Sequence, residues 1–271
     1  MESIARNSYQ TNTMSNKIID TRQGHWLLSK MGKRVLRPGG KELTLKLLNG
    51  MNFSESDDVV EFAPGIGYTA FKVLEKNPKS YTGVELNEEA AARLRKKING
   101  DTRQIIIGDA SDTHLPDACA DKVYGEAMLT MHVDKRKSMI IREAHRILRP
   151  GGYYGIHELG LTPDSINEET KATVQRELSL CIKVNARPLT QHEWITLLQN
   201  EGFEIVHAFT NPMLLLETKR IIDDEGWLRS LKIGFNILRD TSARKRINEM
   251  KCVFNKYKRE MNAVAIVARK I

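Results

Sequence analysis

Between residues 59 and 159 apolar positions gather into short runs: VVEFA (59–63), YTGVEL (81–86), RQIIIG (103–108), DKVYGEAM (121–128) and GYYGIHEL (152–159). Stretches with apolar residues three to four apart lie between most of them, at about 68–76, 88–99 and 135–148. Extended runs alternating with amphipathic helices at this spacing predict βαβ units, and so an open, doubly wound α/β sheet with helices on both faces. Beyond the fifth run the rhythm changes. Residues 164–186 carry a helical pattern, and TQHEWITLLQNEGFEI opens with Thr190 three places before Glu193, a capping box. Gly202 ends that helix ahead of the strand FEIVHAF.

A long helical insertion follows. Leu228, Leu231, Phe235 and Leu238 recur at helical spacing, and Ile247, Met250, Phe254, Tyr257 and Met261 do so again, which predicts two amphipathic helices. The closing strand NAVAIVARK has two places open to it, beside FEIVHAF or inside the sheet's edge. Upstream, residues 1–20 read as a loose, flexible arm, and 24–50 as one or two short helices broken at RPGG (37–40). Residues 21–271 are expected to form a single domain.

Composition narrows the class. The chain has 271 residues, 41% of them hydrophobic, with a polar N-terminus and no stretch near the roughly 20 apolar residues of a membrane span. A cytoplasmic location is the expectation. Cys119, Cys181 and Cys252 are far apart and form no ligand pattern, so neither a metal site nor a disulfide is expected. The net charge of +8 is unevenly placed: 9 basic against 3 acidic residues in 1–50, 12 against 7 in 217–260, but 19 against 24 in 51–216. The positive excess thus flanks an acidic centre, and a solvated helix face explains it as readily as a phosphate-binding surface.

GIGYTA (65–70) fits the glycine fingerprint of a dinucleotide site, with Gly65, Gly67 and Ala70 in register and Glu85 about twenty residues on as ribose acid. Glu61 argues for another cofactor. A carboxylate just before the turn repels a pyrophosphate but can anchor the cationic methionine end of S-adenosylmethionine. Glu85, with Leu86 beside it, ends the second strand, where its oxygens can accept both ribose hydroxyls. Asp109 ends the third, placed to accept from the adenine amine while the Ala110 N–H serves a ring nitrogen. With EFAPGIG, GVELN, GDASDTHLPDACADKV and LRPGG in this order, the chain resembles the class I S-adenosylmethionine-dependent methyltransferases over roughly 57–161. The resemblance implies a Rossmann-like sheet closed by a final antiparallel pair, and S-adenosyl-L-methionine as cofactor. Ala63 departs from it, standing where the family has its first glycine.

Acceptor classes are then argued by absence. GEAMLTMH replaces the N/D-P-P-Y of amino-base methylation, no Pro-Cys pair follows, and Glu126 lacks the second glutamate of a guanidinium clamp. A small-molecule acceptor remains, and the pattern most resembles the ubiquinone/menaquinone-type enzymes. A non-catalytic cofactor-binding regulator, or an RNA-directed protein using its basic flanks, is the alternative. Candidates for a base are Glu126, His132, His157 and Glu158, the last two on opposite faces of their strand. Segments 24–50 and 212–260 are expected to pack Trp26, Leu27 and Met31 together with the Leu228 stripe as a lid over the cofactor. The sequence leaves the oligomeric state open.

Overall fold

The computed structural model describes residues 18–271, so all but the last three residues of the predicted arm lie outside the described residues. Asp58–Phe62 (β1), Ser80–Glu85 (β2), Arg103–Ile107 (β3), Ala120–Glu126 (β4) and Leu148–Leu161 (β5) pair in parallel, each within a few residues of its predicted position. With Phe203–Pro212 (β7) and Met261–Lys270 (β8) the sheet order is β3-β2-β1-β4-β5-β8-β7, and the two-residue β6 (Leu189–Thr190) pairs with the end of β5. β8 runs antiparallel to both β5 and β7, so it lies beside FEIVHAF and inside the sheet at once. Its centre, Ala263–Ala268, is buried throughout, as an apolar run without alternation requires.

Gly40–Met51 (α2), Tyr68–Leu74 (α3) and Glu88–Arg95 (α4) cover one face, where Leu43, Leu47, Met51, Val73 and Leu94 meet Tyr81 and Tyr124. A Cβ on Gly155 of β5 would stand 2.7 Å from Met51 Sδ, so this glycine lets α2 lie close on the sheet. Asp134–Ile147 (α5) and Gln191–Asn200 (α7) cover the other face through Ile140, Ile141, Trp194 and Leu198. The capping box on α7 is present: Glu193 N donates to Thr190 Oγ1 at 3.2 Å and Thr190 N to Glu193 Oε2 at 2.8 Å.

A third cluster lies beyond the sheet's end. Gly24–Met31 (α1) supplies Leu27, Leu28 and Met31, Glu168–Ile182 (α6) Val174 and Leu178, and Thr241–Lys256 (α10) Ile247, Met250 and Phe254. The insertion holds three helices where two are predicted: Thr218–Glu225 (α8), Trp227–Arg239 (α9) and α10. Gly226, with φ at 79°, breaks the first from the second, and Asp240 caps α10 by accepting from Ala243 N at 2.9 Å. The stripe of α10 is buried as its periodicity predicts. That of α9 is not: Leu228, Leu231, Phe235 and Leu238 are exposed, which corrects the expectation that they cover a cofactor. The opposite side of α9 makes the inward contacts, through buried Ile233, through Asn236 Nδ2 donating to Met31 O at 2.9 Å, and through Arg229 donating to Gly32 O at 3.3 Å.

Two acids at the C-terminus of α8 oppose the helix dipole, and their partners explain their presence. Asp224 accepts from buried Lys33 Nζ at 3.3 Å and from Lys41 N at 2.7 Å, while Glu225 accepts from Arg34 N at 2.7 Å and Val35 N at 2.8 Å. They strap the segment between α1 and α2 onto the insertion, and this segment delivers Arg37 to the site below. Among the described residues no helix is long and apolar enough to cross a membrane.

Candidate functional site

A cavity of about 340 Å³ opens at the carboxyl ends of β1 to β4, where the order of an open parallel sheet reverses direction. Ala63, Pro64 and Gly65 form its floor. Ala63 sits at φ 52°, a left-handed conformation that explains the family's preference for glycine here, and Gly65 sits at φ 60°. A Cβ on Gly65 would meet nothing nearer than Ala63 O at 3.9 Å, so the cradle is open to a ligand. Gly67 does not line it. A Cβ there would be 2.5 Å from Leu94 Cδ2, and the residue serves the packing of α3 on α4 instead.

Glu85 lines the cavity, its Oε2 accepting from Gly65 N at 2.8 Å and its Oε1 from Asn87 N at 2.9 Å. Each oxygen is thereby fixed by one backbone donor and keeps acceptor capacity for another. Leu86 and Asn87 stand beside it. Asp109 and Ala110 form the next wall. Asp109 Oδ1 accepts from Ser111 N at 2.8 Å, Oδ2 is paired with Arg136, and the Ala110 N–H has no protein acceptor among the described residues.

Glu126 closes the far end, buried and encircled. Arg37 Nε donates at 3.2 Å, Thr44 Oγ1 at 2.6 Å, His157 Nδ1 lies at 2.8 Å, and Thr69 Oγ1 donates to the same carboxylate. Burial would push its pKa up, but the charge of Arg37 and the hydrogen bonds from His157 and Thr44 overcome it and hold the group at about 2. A carboxylate so supplied with donors is a poor base.

Three more sequence candidates are corrected. His157 is buried in the sheet with both ring nitrogens engaged, Nε2 accepting from Gly39 N at 3.1 Å and Nδ1 facing Glu126, so no nitrogen is left for a substrate proton. Glu158 points to the opposite face, where it accepts from Met128 N, Leu129 N, Thr130 N and Thr130 Oγ1 and builds the turn after β4. Glu61 lies behind the cavity wall rather than in it. Its Oε2 takes the hydroxyls of Tyr81 at 2.5 Å and Tyr124 at 2.6 Å, and burial raises its pKa to about 7 against the lowering effect of those phenols. His132 alone of the four base candidates lines the cavity without being locked in a network, and burial, helped by Arg136, lowers its pKa.

Sequence reasoning missed Arg37, Arg136 and His25. Arg37 heads the RPGG break, which was legible only as a break. His25 stands where the first cavity adjoins a second, smaller one of about 90 Å³, and burial lowers its pKa to about 4. The two cavities share His25, Leu36, Ala127 and Met131, and the second is walled by Leu28, Leu178, Leu215, Met250 and Phe254. No cluster of three or more potential metal ligands occurs among the described residues.

Residues 60–156, from β1 to the middle of β5, match the family described as methyltransferase domain. A Haemophilus influenzae protein described as uncharacterised is 33% identical over 251 residues, covering 91% of this chain and 98% of that one. The sterol 24-C-methyltransferase erg-4 of Neurospora crassa is 28% identical over 158 residues, 55% of this chain, which spans 40% of that enzyme's length. Among solved structures, a geranyl diphosphate methyltransferase in complex with S-adenosylmethionine superposes with a TM-score of 0.63 at 14% identity, covering 85% of each chain. An open cradle at Gly65, a backbone-anchored acid at the end of β2 and an Asp wall at the end of β3 stand in the order that this family's fold requires, and the chain belongs to the class I S-adenosylmethionine-dependent methyltransferases.

Proposed function

We propose that the protein methylates a small acceptor with an apolar body, seated in the chamber between α1, α6 and α10 and reaching the cofactor past His25 and Met131. The observation that carries this reading is that the two cavities adjoin through four shared wall residues, the first holding Glu85, Asp109 and Glu126 among apolar neighbours and the second almost wholly apolar. The sterol substrate in the name of the Neurospora relative is in keeping with it. Residues 21–271 act in this reading as one catalytic domain, with α1 and the insertion walling the acceptor chamber. Residues 1–17 lie outside the account.

In the cofactor cavity, Glu85 would receive the ribose hydroxyls, Asp109 and the Ala110 N–H the adenine, and the Gly65 cradle the methionine arm, whose carboxylate Arg37 is placed to meet. When bound, S-adenosylmethionine supplies an electrophilic methyl group that an acceptor nucleophile takes by in-line displacement. The protein's part is to orient and to exclude water. The imidazole of His25 stands at the junction with His132 nearby in the cavity wall; its pKa of about 4 makes His25 a weak base, suited to accept a hydrogen bond that orients an acceptor hydroxyl, and leaves His132 as the candidate to take the proton.

Two outcomes test the assignment. Glu85→Ala is expected to weaken S-adenosylmethionine binding by about 2 kcal/mol, roughly thirty-fold, the scale of lost charge-assisted hydrogen bonds. Calorimetry giving wild-type affinity removes the ribose assignment. Leu215→Trp, at a half-buried position on the chamber wall, is expected to cut methyl transfer from labelled cofactor into the lipophilic fraction of a cell extract by about ten-fold or more while leaving cofactor affinity unchanged. Equal labelling in both proteins places the acceptor elsewhere.

A further inference from the structure

The exposed stripe of α9 is unlike the rest of the surface. Trp227, Leu228, Leu231, Phe235 and Leu238 fall on one side of the helix, and each is more than half exposed, from 55% at Leu231 to 83% at Leu228. Gly234 extends the same face, and a Cβ there would meet nothing within 4 Å. At helical spacing Lys232 and Arg239 border the stripe, with the Arg239 guanidinium 5.3 Å from the centre of the Phe235 ring. Arg244 and Lys245 are exposed at the start of α10. None of these four cations has a carboxylate within salt-bridge distance among the described residues, and no acid occurs from Gly226 to Arg239. Of the neighbouring acids, Asp224 and Glu225 are engaged with Lys33 and Asp240 with Lys30, while Asp223, on α8 before the Gly226 break, is exposed.

We infer that this face docks the enzyme on an anionic lipid surface, with the stripe entering the acyl boundary and Lys232 and Arg239 reaching back to the headgroups. A helix with Trp, Phe and Leu on one side and bordering Lys and Arg, lying on the protein rather than inside it, has the composition of an interfacial helix. Charge separates this occupant from a second copy of the chain. Packing α9 against its own mate would bring Lys232 and Arg239 to the same cations with no acid on the helix to answer them, whereas anionic headgroups neutralise both. The placement suits the proposed acceptor without depending on it. α9 rests on α1 and α10, two of the helices that wall the apolar chamber, so docking would hold that chamber beside a store of lipophilic molecules.

The test uses the full chain with vesicles of phosphatidylcholine alone and of phosphatidylcholine mixed with phosphatidylglycerol, separated by flotation. Trp26 and Trp194 are buried, so Trp227 reports contact through its own emission. The expected result is flotation and a blue shift with the mixed vesicles, at least about ten-fold weaker with phosphatidylcholine alone and falling as salt is raised. Leu231→Glu with Phe235→Glu, and separately Lys232→Glu with Arg239→Glu, are each expected to cut partitioning by about ten-fold or more. These exposed changes leave S-adenosylmethionine affinity as it was, which shows that the variants are folded. Wild-type protein that stays unbound, variants that float like wild type, or equal binding to both vesicles would each overturn the inference. So would a concentration-dependent doubling of mass that Leu231→Glu with Phe235→Glu abolishes, which would assign the face to a second copy. Because the readout is partitioning, methyl transfer in any of these proteins bears on the acceptor reading alone.

Discussion

Glu61→Gln is expected to gain about 3 kcal/mol of stability over wild type as pH rises from 4 to 8. The cause is burial. Glu61 sits inside the sheet, with only the hydroxyls of Tyr81 and Tyr124 for direct partners among the described residues, and its pKa is raised to about 7. A raised carboxyl binds its proton more tightly folded than unfolded. Its contribution is therefore fully present below the unfolded value near 4.5 and is lost as pH climbs through 7. Glutamine keeps an acceptor for both phenols and carries no charge, so its stability lacks this decline. Any fixed cost of the amide shifts the variant's curve without changing its slope. Urea unfolding of both proteins across this range measures the difference, and parallel curves would show that Glu61 titrates as it does in the unfolded chain.

The same residue shows what the sequence could and could not disclose. The strands, their helices and the acids at strand ends were legible because each rests on local signals: an apolar run, a glycine turn, a capping box. Glu85 reaches the cavity as the last residue of β2 and Asp109 as the second residue past β3, both at the carboxyl end of the sheet. Glu61 is three residues further back from Ala63's successor, Pro64, and period-two alternation turns its side chain toward tyrosines on β2 and β4, neighbours that only the sheet order supplies. The base candidates failed for a related reason. Glu126 ends β4, with His157 opposite it inside β5 rather than at that strand's end, and Arg37, 89 residues upstream of Glu126, saturates that carboxylate. Likewise both periodic stripes of the insertion are amphipathic on paper. Which one is covered depends on Lys33 and Asp224, 191 residues apart, tying the N-terminal segment down.

Arg37→Met is expected to cost about 3–5 kcal/mol at neutral pH, because it removes the guanidinium whose charge does most to offset the burial of the Glu126 carboxylate. Glu126 would keep the hydrogen bonds of Thr44, Thr69 and His157 Nδ1. Its depressed pKa, about 2, adds to the acid limb of the wild-type curve: the contribution is present above the unfolded value of 4.5 and is lost as pH falls toward 2. In Arg37→Met that pKa rises and this acid-side loss shrinks. The double variant Arg37→Met with Glu126→Gln leaves no unpaired charge and is expected to recover most of the lost stability, a coupling that denaturant titration of wild type, both singles and the double measures directly. Cofactor affinity separates a packing role from a binding role. If Arg37 also meets the methionine carboxylate, the stable double variant still binds S-adenosylmethionine about ten-fold or more weakly than Glu126→Gln alone. Wild-type stability in Arg37→Met would remove the buried pair from the account, and equal affinity in the double variant and Glu126→Gln would leave Arg37 as a strut for Glu126 with no hold on the cofactor.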